Sequence, residues 1–240
     1  MIVRAFIVPK AGWSVDDCQD AYAISRSRRR FAVVDGMTDS ALSAEWARLL
    51  ASHLVEMSHW DRPSLLTATN TLAEDWHALA PTDDVPWYLS RKISERGAYA
   101  TVAALDLTRT GRGRTYRMLG VGDTCIFHVR GGRLIRAHPY SDAADFQHRP
   151  LGLGTLATAA NEQVLKATGL RYGTWRRGDR FLIMSDALAA YVLGAVAQCH
   201  GVRRALAFDR TPPAYSRWVE TMRNAGRLKD DDTTLLEVIT

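Results

Sequence analysis

Three short apolar runs, each with aspartate at its rim, limit what this chain can become. They are Phe31-Ala32-Val33-Val34-Asp35-Gly36, Phe181-Leu182-Ile183-Met184-Ser185-Asp186-Ala187 and the stretch Lys229–Val238, which holds Asp230, Asp231 and Asp232 before Thr233-Thr234-Leu235-Leu236. Short apolar runs bounded by turn residues have the length of strands. Each therefore reads as a buried strand with a carboxylate at its end. Strand ends far apart in sequence can converge in space, and gathered carboxylates repel one another unless something neutralises them. A hard divalent cation does so through oxygen ligands. The first expectation is thus an aspartate-lined Mg²⁺ or Mn²⁺ site.

The elements around these runs do not alternate strand with helix. Ile2–Val8 reads as a strand, and Ala21–Ser25 and Phe31–Asp35 flank the basic turn Arg26–Arg30 as a hairpin. Leu42, Trp46, Leu49, Leu50, Leu54 and Met57 fall at helical spacing within Ala41–His59, with Ser40 or Asp39 as the cap. A second helix follows Pro63, a break follows over Pro81–Asp84, and a short helix covers Trp87–Ser94. Tyr99–Leu107, Thr115–Val121, Thr124–Val129 and Arg133–Ala137 read as an antiparallel meander with glycine-bearing turns. His138–Leu156 reads as loop, and Gln163–Thr174 is ambiguous, with room for another strand. Phe181–Ser185 runs into a helix at Leu188–Leu193. Val202–Leu206 and Ala214–Asn224 are helical, and Thr234–Ile239 is the last strand. This order argues against a doubly wound parallel sheet and for antiparallel sheets covered by helix pairs.

A chain of 240 residues with 47% hydrophobic and 24% charged residues suits one domain with an ordinary core. The net charge of +5 weakly favours acidic or phosphorylated partners. Basic clusters without interleaved aromatics argue against nucleic acid. Cys18, Cys125 and Cys199 lack paired spacing, which points to a reducing compartment. No uncharged stretch reaches a bilayer-spanning length. A soluble, cytoplasmic protein with no membrane partner is expected. No histidine has ligand spacing with a cysteine or another histidine, so zinc is not expected. The seven tryptophans read mostly as core. A Cys-x5-Arg loop, a Gly-x-Ser-x-Gly elbow, a P-loop and an HExxH motif are all missing, so no enzyme nucleophile is indicated.

Taken singly, the aspartates are ordinary. Asp35-Gly36 is also a common turn, and Ser185 or Asp186 is a natural helix cap. An acidic triplet such as Asp230–Asp232 is usually a solvated loop, and Asp123 sits in a Gly-Asp-Thr turn. Their order is more telling. Cys18–Ile24, Phe31–Met37, Gly97–Leu107, Leu119–Leu134 with Gly178–Leu188, and Asp231–Val238 together resemble the metal-dependent protein phosphatases of type 2C, in the bacterial form, across essentially the whole chain.

The resemblance implies an α+β fold, a four-layer α-β-β-α sandwich of two antiparallel sheets flanked by helix pairs, in a single catalytic domain spanning residues 1–240. It implies two divalent cations, Mn²⁺ or Mg²⁺, at one end of the sandwich. Asp35 would bridge both, the Gly36 carbonyl would bind one, and Asp186 and Asp231 would hold the second. These three aspartates are the expected catalytic set. Asp20 would act through water, and Asp123 would serve a third, weaker metal. The implied activity is hydrolysis of phosphoserine or phosphothreonine by metal-activated water. A phosphorylated protein substrate, a cognate kinase and a monomeric state accompany it.

Four positions depart from the family pattern. Gln19 replaces an acid of the usual Asn-Glu-Asp, and Trp13-Ser14-Val15 stands where an arginine often grips phosphate. Arg26 to Arg30 and Arg149 are the substitute candidates for that grip. Thr38-Asp39-Ser40 replaces a glycine-rich turn, and Ala187 replaces glycine. A degenerate, non-catalytic binding module and a small-molecule phosphatase therefore stand as alternatives.

Overall fold

A computed structural model describes residues 1–81, 86–111, 113–147, 150–156 and 158–240. Most of the expected break over Pro81–Asp84 lies outside these residues, as does Arg149. The elements in chain order are β1 (Ile2–Val8), β2 (Asp20–Ser25), β3 (Arg30–Gly36), α1 (Ser43–Glu56), α2 (Arg62–Leu79), α3 (Trp87–Arg96), β4 (Tyr99–Thr110), β5 (Gly113–Val121), β6 (Cys125–Arg130), β7 (Arg133–His138), β8 (Leu153–Gly154), α4 (Thr158–Ala167), β9 (Gly169–Thr174), β10 (Arg180–Met184), α5 (Asp186–Ala197), α6 (Val202–Ala205), α7 (Pro212–Asn224) and β11 (Thr233–Ile239). A 3-10 turn covers Ala143–Gln147.

Two antiparallel sheets stack face to face. One has the order β1-β11-β10-β6-β7, the other β2-β3-β4-β5-β9, with β8 paired to β4. Phe31, Val33, Leu105, Met118, Ile126, Phe181, Ile183, Leu236 and Val238 fill the layer between them. The alternate residues Ala32, Val34, Val102 and Ala104 face α1, α2 and α4. Leu182, Met184 and Leu235 face α5, α6 and α7. Central strands are thus buried on both faces. That is why their sequences are continuous apolar runs rather than alternating ones.

The α+β four-layer expectation holds, with local corrections. The expected meander is split: β4 pairs with β5, but the chain then crosses to the other sheet, where β6 pairs with β7 and β10. The crossing turn is Gly122-Asp123-Thr124. Gly122 has φ +78°, and a Cβ there would lie 2.4 Å from Thr101 Cγ2, so only glycine fits. Helix α1 is capped neither by Ser40 nor by Asp39. Its N-cap is Leu42 in the left-handed region, and the Ser40 hydroxyl donates instead to the Met37 carbonyl. The ambiguous stretch 163–174 is the end of α4 followed by β9, and the expected loop after His138 contains the 3-10 turn and β8. Trp46, Trp60 and Trp76 are core, each donating its indole N–H to a backbone carbonyl, whereas Trp13 and Trp87 are exposed. Among the described residues no helix is long and apolar enough to cross a membrane.

A buried ionic clasp joins β6 to the chain entering β10. Asp179 Oδ2 accepts from His128 Nε2 at 2.8 Å, and Arg130 grips both carboxylate oxygens at 2.8 and 2.7 Å. Arg176 N adds a bond of 2.8 Å. Burial works to raise the Asp179 pKa, but these donors outweigh it and hold it down to about 2. His128 stacks on Phe181 at 4.7 Å, and burial lowers its pKa. A carboxyl whose pKa is depressed on folding stabilises the protein above its unfolded pKa of about 3.9. That contribution is lost as pH falls through the folded value. Asp179→Asn is expected to cost about 2 kcal/mol at pH 7. Urea unfolding should show this deficit shrinking as pH falls from about 4 toward about 2.

Candidate metal centre

Asp20 and Asp35 face each other across β2 and β3, and Asp35 is also opposite Thr101 on β4. Asp123 lies on the crossing turn, Asp186 opens α5, and Asp231 precedes β11. All five sit at one end of the sandwich. Asp35, Gly36, Asp123, Asp186 and Asp231 line a cleft of about 300 Å³ with Met37, Thr38, Asp39, Thr101, Pro150 and Lys229. Asp20 lies beneath it, 4% exposed, and among the described residues neither of its oxygens has a hydrogen-bond partner of good geometry.

The carboxylates act on one another. Burial raises the Asp35 pKa well above the carboxylate range, and the charges of Asp20, Asp186, Asp123 and Asp231 push it the same way. Burial and then Asp232 raise Asp20, with the Thr234 and Ser185 hydroxyls offsetting part of the effect. Asp123 is pushed up to about 6 by burial and by Asp186. Asp186 is raised by burial and by Asp231, against the pull of Lys229. Such a set is short of positive charge and rich in hard oxygen donors, which suits Mg²⁺ or Mn²⁺. The orphaned oxygens of Asp20 fit the same need. As the side chains stand, no three of the described acids, histidines or cysteines converge on one point closely enough to hold an ion.

One cation does stand among them. Lys229 Nζ is 2.6 Å from Asp231 Oδ2 and 3.2 Å from Asp186 Oδ2. Burial works against its charge, but the two carboxylates outweigh that and hold its pKa above the ordinary value. Among the described residues lining the cleft it is the only basic one. Sequence reasoning passed over it, because a lysine beside an acidic triplet looks like a solvated turn.

The triplet itself does three different jobs. Asp230 accepts from Ala11 N at 3.0 Å and pairs with Arg223. Asp231 faces the cleft. Asp232 accepts from Lys10 N at 2.8 Å and from Gln19 N at 2.7 Å, tying the end of β1 and the approach to β2 onto β11. The neighbouring Ser185 holds the N-cap position of α5, but its side chain makes no capping bond. Its hydroxyl accepts from Thr234 N at 2.9 Å, joining β10 to β11.

The departures from the family pattern also find places. Gly36 is fixed by crowding, since a Cβ would lie 2.6 Å from Ser43 O and 2.9 Å from Gln19 O. Ala187 is in the first turn of α5 with ordinary φ, so its methyl is tolerated. Thr38 and Asp39 are exposed at the cleft rim. Trp13 and Val15 lie in an exposed loop closed by Ser14 on Asp17. The candidate grip by Arg26 to Arg30 is overturned: this turn joins the other ends of β2 and β3, roughly 17 Å along the strand from Asp35. Arg28 pairs there with Glu56, and Arg30 with Asp106.

A sequence profile described as Protein phosphatase 2C matches residues 15–236. A search of curated proteins returns no match. Several solved structures share the fold. The serine/threonine phosphatase Stp1 from Staphylococcus aureus has a TM-score of 0.65 at 14% identity, covering 99% of this chain and 94% of its own. MsPP of Mycobacterium smegmatis, a phosphatase solved with cacodylate, has a TM-score of 0.58 at 17% identity over 100% and 98%. The catalytic domain of PstP, solved with two manganese ions, has a TM-score of 0.56 at 16% identity over 98% and 96%.

Asp123 yields a prediction. Its pKa is raised on folding from about 3.9 to about 6, so the charged form opposes folding, and stability falls as pH rises through that window. In chelator, Asp123→Asn is expected to stabilise the protein by roughly 2 kcal/mol at pH 7.5 and by little at pH 4. Thermal unfolding at the two pH values checks it, and equal gains at both would contradict it.

Proposed function

Because the chain belongs to the protein phosphatase 2C family, we propose that it is a Mn²⁺- or Mg²⁺-dependent phosphatase acting on phosphoserine or phosphothreonine in proteins. The observation that carries this reading is that Asp20, Asp35, Asp123, Asp186 and Asp231, from five separate segments, lie at one end of the sandwich close enough to act on one another's charge. The whole chain is read as one catalytic domain, placed in the cytoplasm.

Asp35 would hold both cations with help from the Gly36 carbonyl, Asp186 and Asp231 would hold one, and Asp20 would orient water behind them. Asp123 would hold a third ion. Bound divalent cations lower the pKa of water and offset charge on phosphoryl oxygens. The protein residues fix that chemistry in place. Asp232 and Ser185 clamp β11 and so set where Asp231 stands, while the Thr101–Thr124 hydroxyl pair, 2.6 Å apart, steadies the turn carrying Asp123. A groove of about 720 Å³ adjoins the cleft at Asp186 and Lys229, walled by Phe146, Ala187, Tyr191 and Gln198. Its volume and the rings of Phe146 and Tyr191 suit a peptide around a phosphorylated residue better than a small phosphate ester.

The position of Lys229 favours a second reading, a binding module without turnover, since its ammonium already occupies the Asp186–Asp231 pair. Phosphate release from a phosphothreonine peptide separates the two. With Mn²⁺, turnover is expected that chelator abolishes and that Asp35→Asn lowers at least about a hundredfold, roughly 3 kcal/mol. Background release in every case would instead favour the binding module, and faster turnover of nucleotide or sugar phosphates would favour a small-molecule phosphatase.

Lys229 gives a second test that does not depend on turnover. Removing a positive charge beside two ligand carboxylates is expected to tighten Mn²⁺ binding in Lys229→Met by about tenfold. Electron paramagnetic resonance titration of free Mn²⁺ reads this directly. Unchanged or weaker binding would show that the ammonium does not compete for the site.

A further inference from the structure

The opposite mouth of the sandwich has the reverse chemistry. Arg26 and Arg29 from the β2–β3 turn, Arg109 and Arg114 from β4 and β5, and Arg177 after β9 line a cavity of about 670 Å³ with Trp175. No carboxylate side chain is among its described lining residues, and none of the five arginines has an acidic partner within 4.0 Å among the described residues. The chain carries 31 basic and 26 acidic residues, an excess of five. Five of those basic residues gather at this one mouth. By contrast, several arginines set against the sheets are paired: Arg30 with Asp106, Arg130 with Asp179, and Arg180 with Glu237.

Two features show a built surface rather than a loose fringe. Trp175 is pinned by its indole N–H to Thr108 O at 3.3 Å and Thr115 O at 3.1 Å, and the Arg114 guanidinium lies 5.2 Å from its ring centre. Arg29 holds a left-handed backbone, φ 55°, where glycine or asparagine is the ordinary choice. Uncompensated guanidinium groups repel one another, and planar N–H forks match phosphate oxygens in pairs. The hydrophobic side chains of Ile2, Leu107 and Ile239 also line the cavity, and its volume lies in the range of small-molecule sites.

We propose that this mouth binds a soluble organic polyphosphate of the nucleoside di- or triphosphate class, with phosphates on the arginines and the organic body against the apolar lining. It is separate from the carboxylate end and does not depend on the proposed phosphatase activity.

Isothermal titration in chelator at low salt, where the carboxylate end repels anions, tests it with ATP, AMP, pyrophosphate and orthophosphate as probes. Saturable one-to-one binding of ATP is expected, at least about tenfold tighter than AMP or pyrophosphate and weakening with added salt. The exposed pair Arg26→Gln/Arg177→Gln should lose about tenfold or more in affinity, and Arg114→Gln should do likewise, with circular dichroism unchanged in the first. Absence of saturable binding would overturn the proposal, as would full affinity in the Arg26/Arg177 variant. Pyrophosphate binding as tightly as ATP would remove the role of the organic body. Tighter binding of a single-stranded oligonucleotide than of ATP would make the surface a nucleic-acid site instead.

Discussion

Repulsion among buried carboxylates is the constraint around which this end of the molecule is organised. Asp20, Asp35, Asp123, Asp186 and Asp231 carry five formal negative charges, and Lys229 returns one. Asp20, Asp35, Asp123 and Asp186 have their pKa values raised, with burial as the first cause. A fold keeps such a cluster only if the surrounding packing holds the strand ends together against it. The four-layer core does that, because β3, β4, β10 and β11 bury apolar side chains on both faces. Two divalent cations would bring the formal charge of the cluster to zero.

Burial on both faces also explains what could be read from sequence. Phe31–Val34 and Phe181–Met184 are legible as strands because little in a doubly covered strand needs to be polar until its rim; β11 carries Leu235 and Leu236 but also Glu237, whose buried charge is matched by Arg4, Arg180 and Arg210. The aspartate at each rim is legible for the same reason. Family order then brought in Asp20 and Asp123, whose local contexts say little. The fold class followed from the element order, since strands grouped before and after helices cannot form alternating crossovers.

Other features lie below the resolution of pattern. Asp230, Asp231 and Asp232 are identical letters, and only the register of β11 against β1 and β10 decides which one enters the cleft. Lys229 was missed because its partners are distant or ordinary in sequence. The basic turn at Arg26–Arg30 looked available for phosphate until the strand direction put it at the far end. A strand pair reverses every position relative to its turn, so a hairpin that delivers Asp20 and Asp35 to one mouth must deliver its turn to the other. The meander was split for a similar reason: β5 and β6 are joined by a turn of hairpin length, yet that turn steps between sheets around Gly122.

That same hairpin makes the molecule an electric dipole along its strands, with acid at one pole and arginine at the other, roughly 17 Å apart along β3. In the field of an anionic partner, a dipole rotates before it collides. Without metal, a phosphorylated protein would meet this molecule arginine end first, facing away from the cleft. Neutralising the acidic pole removes most of that torque on the cleft side. Loading of the carboxylate end would therefore govern how the molecule is turned on approach as well as what it can do on arrival.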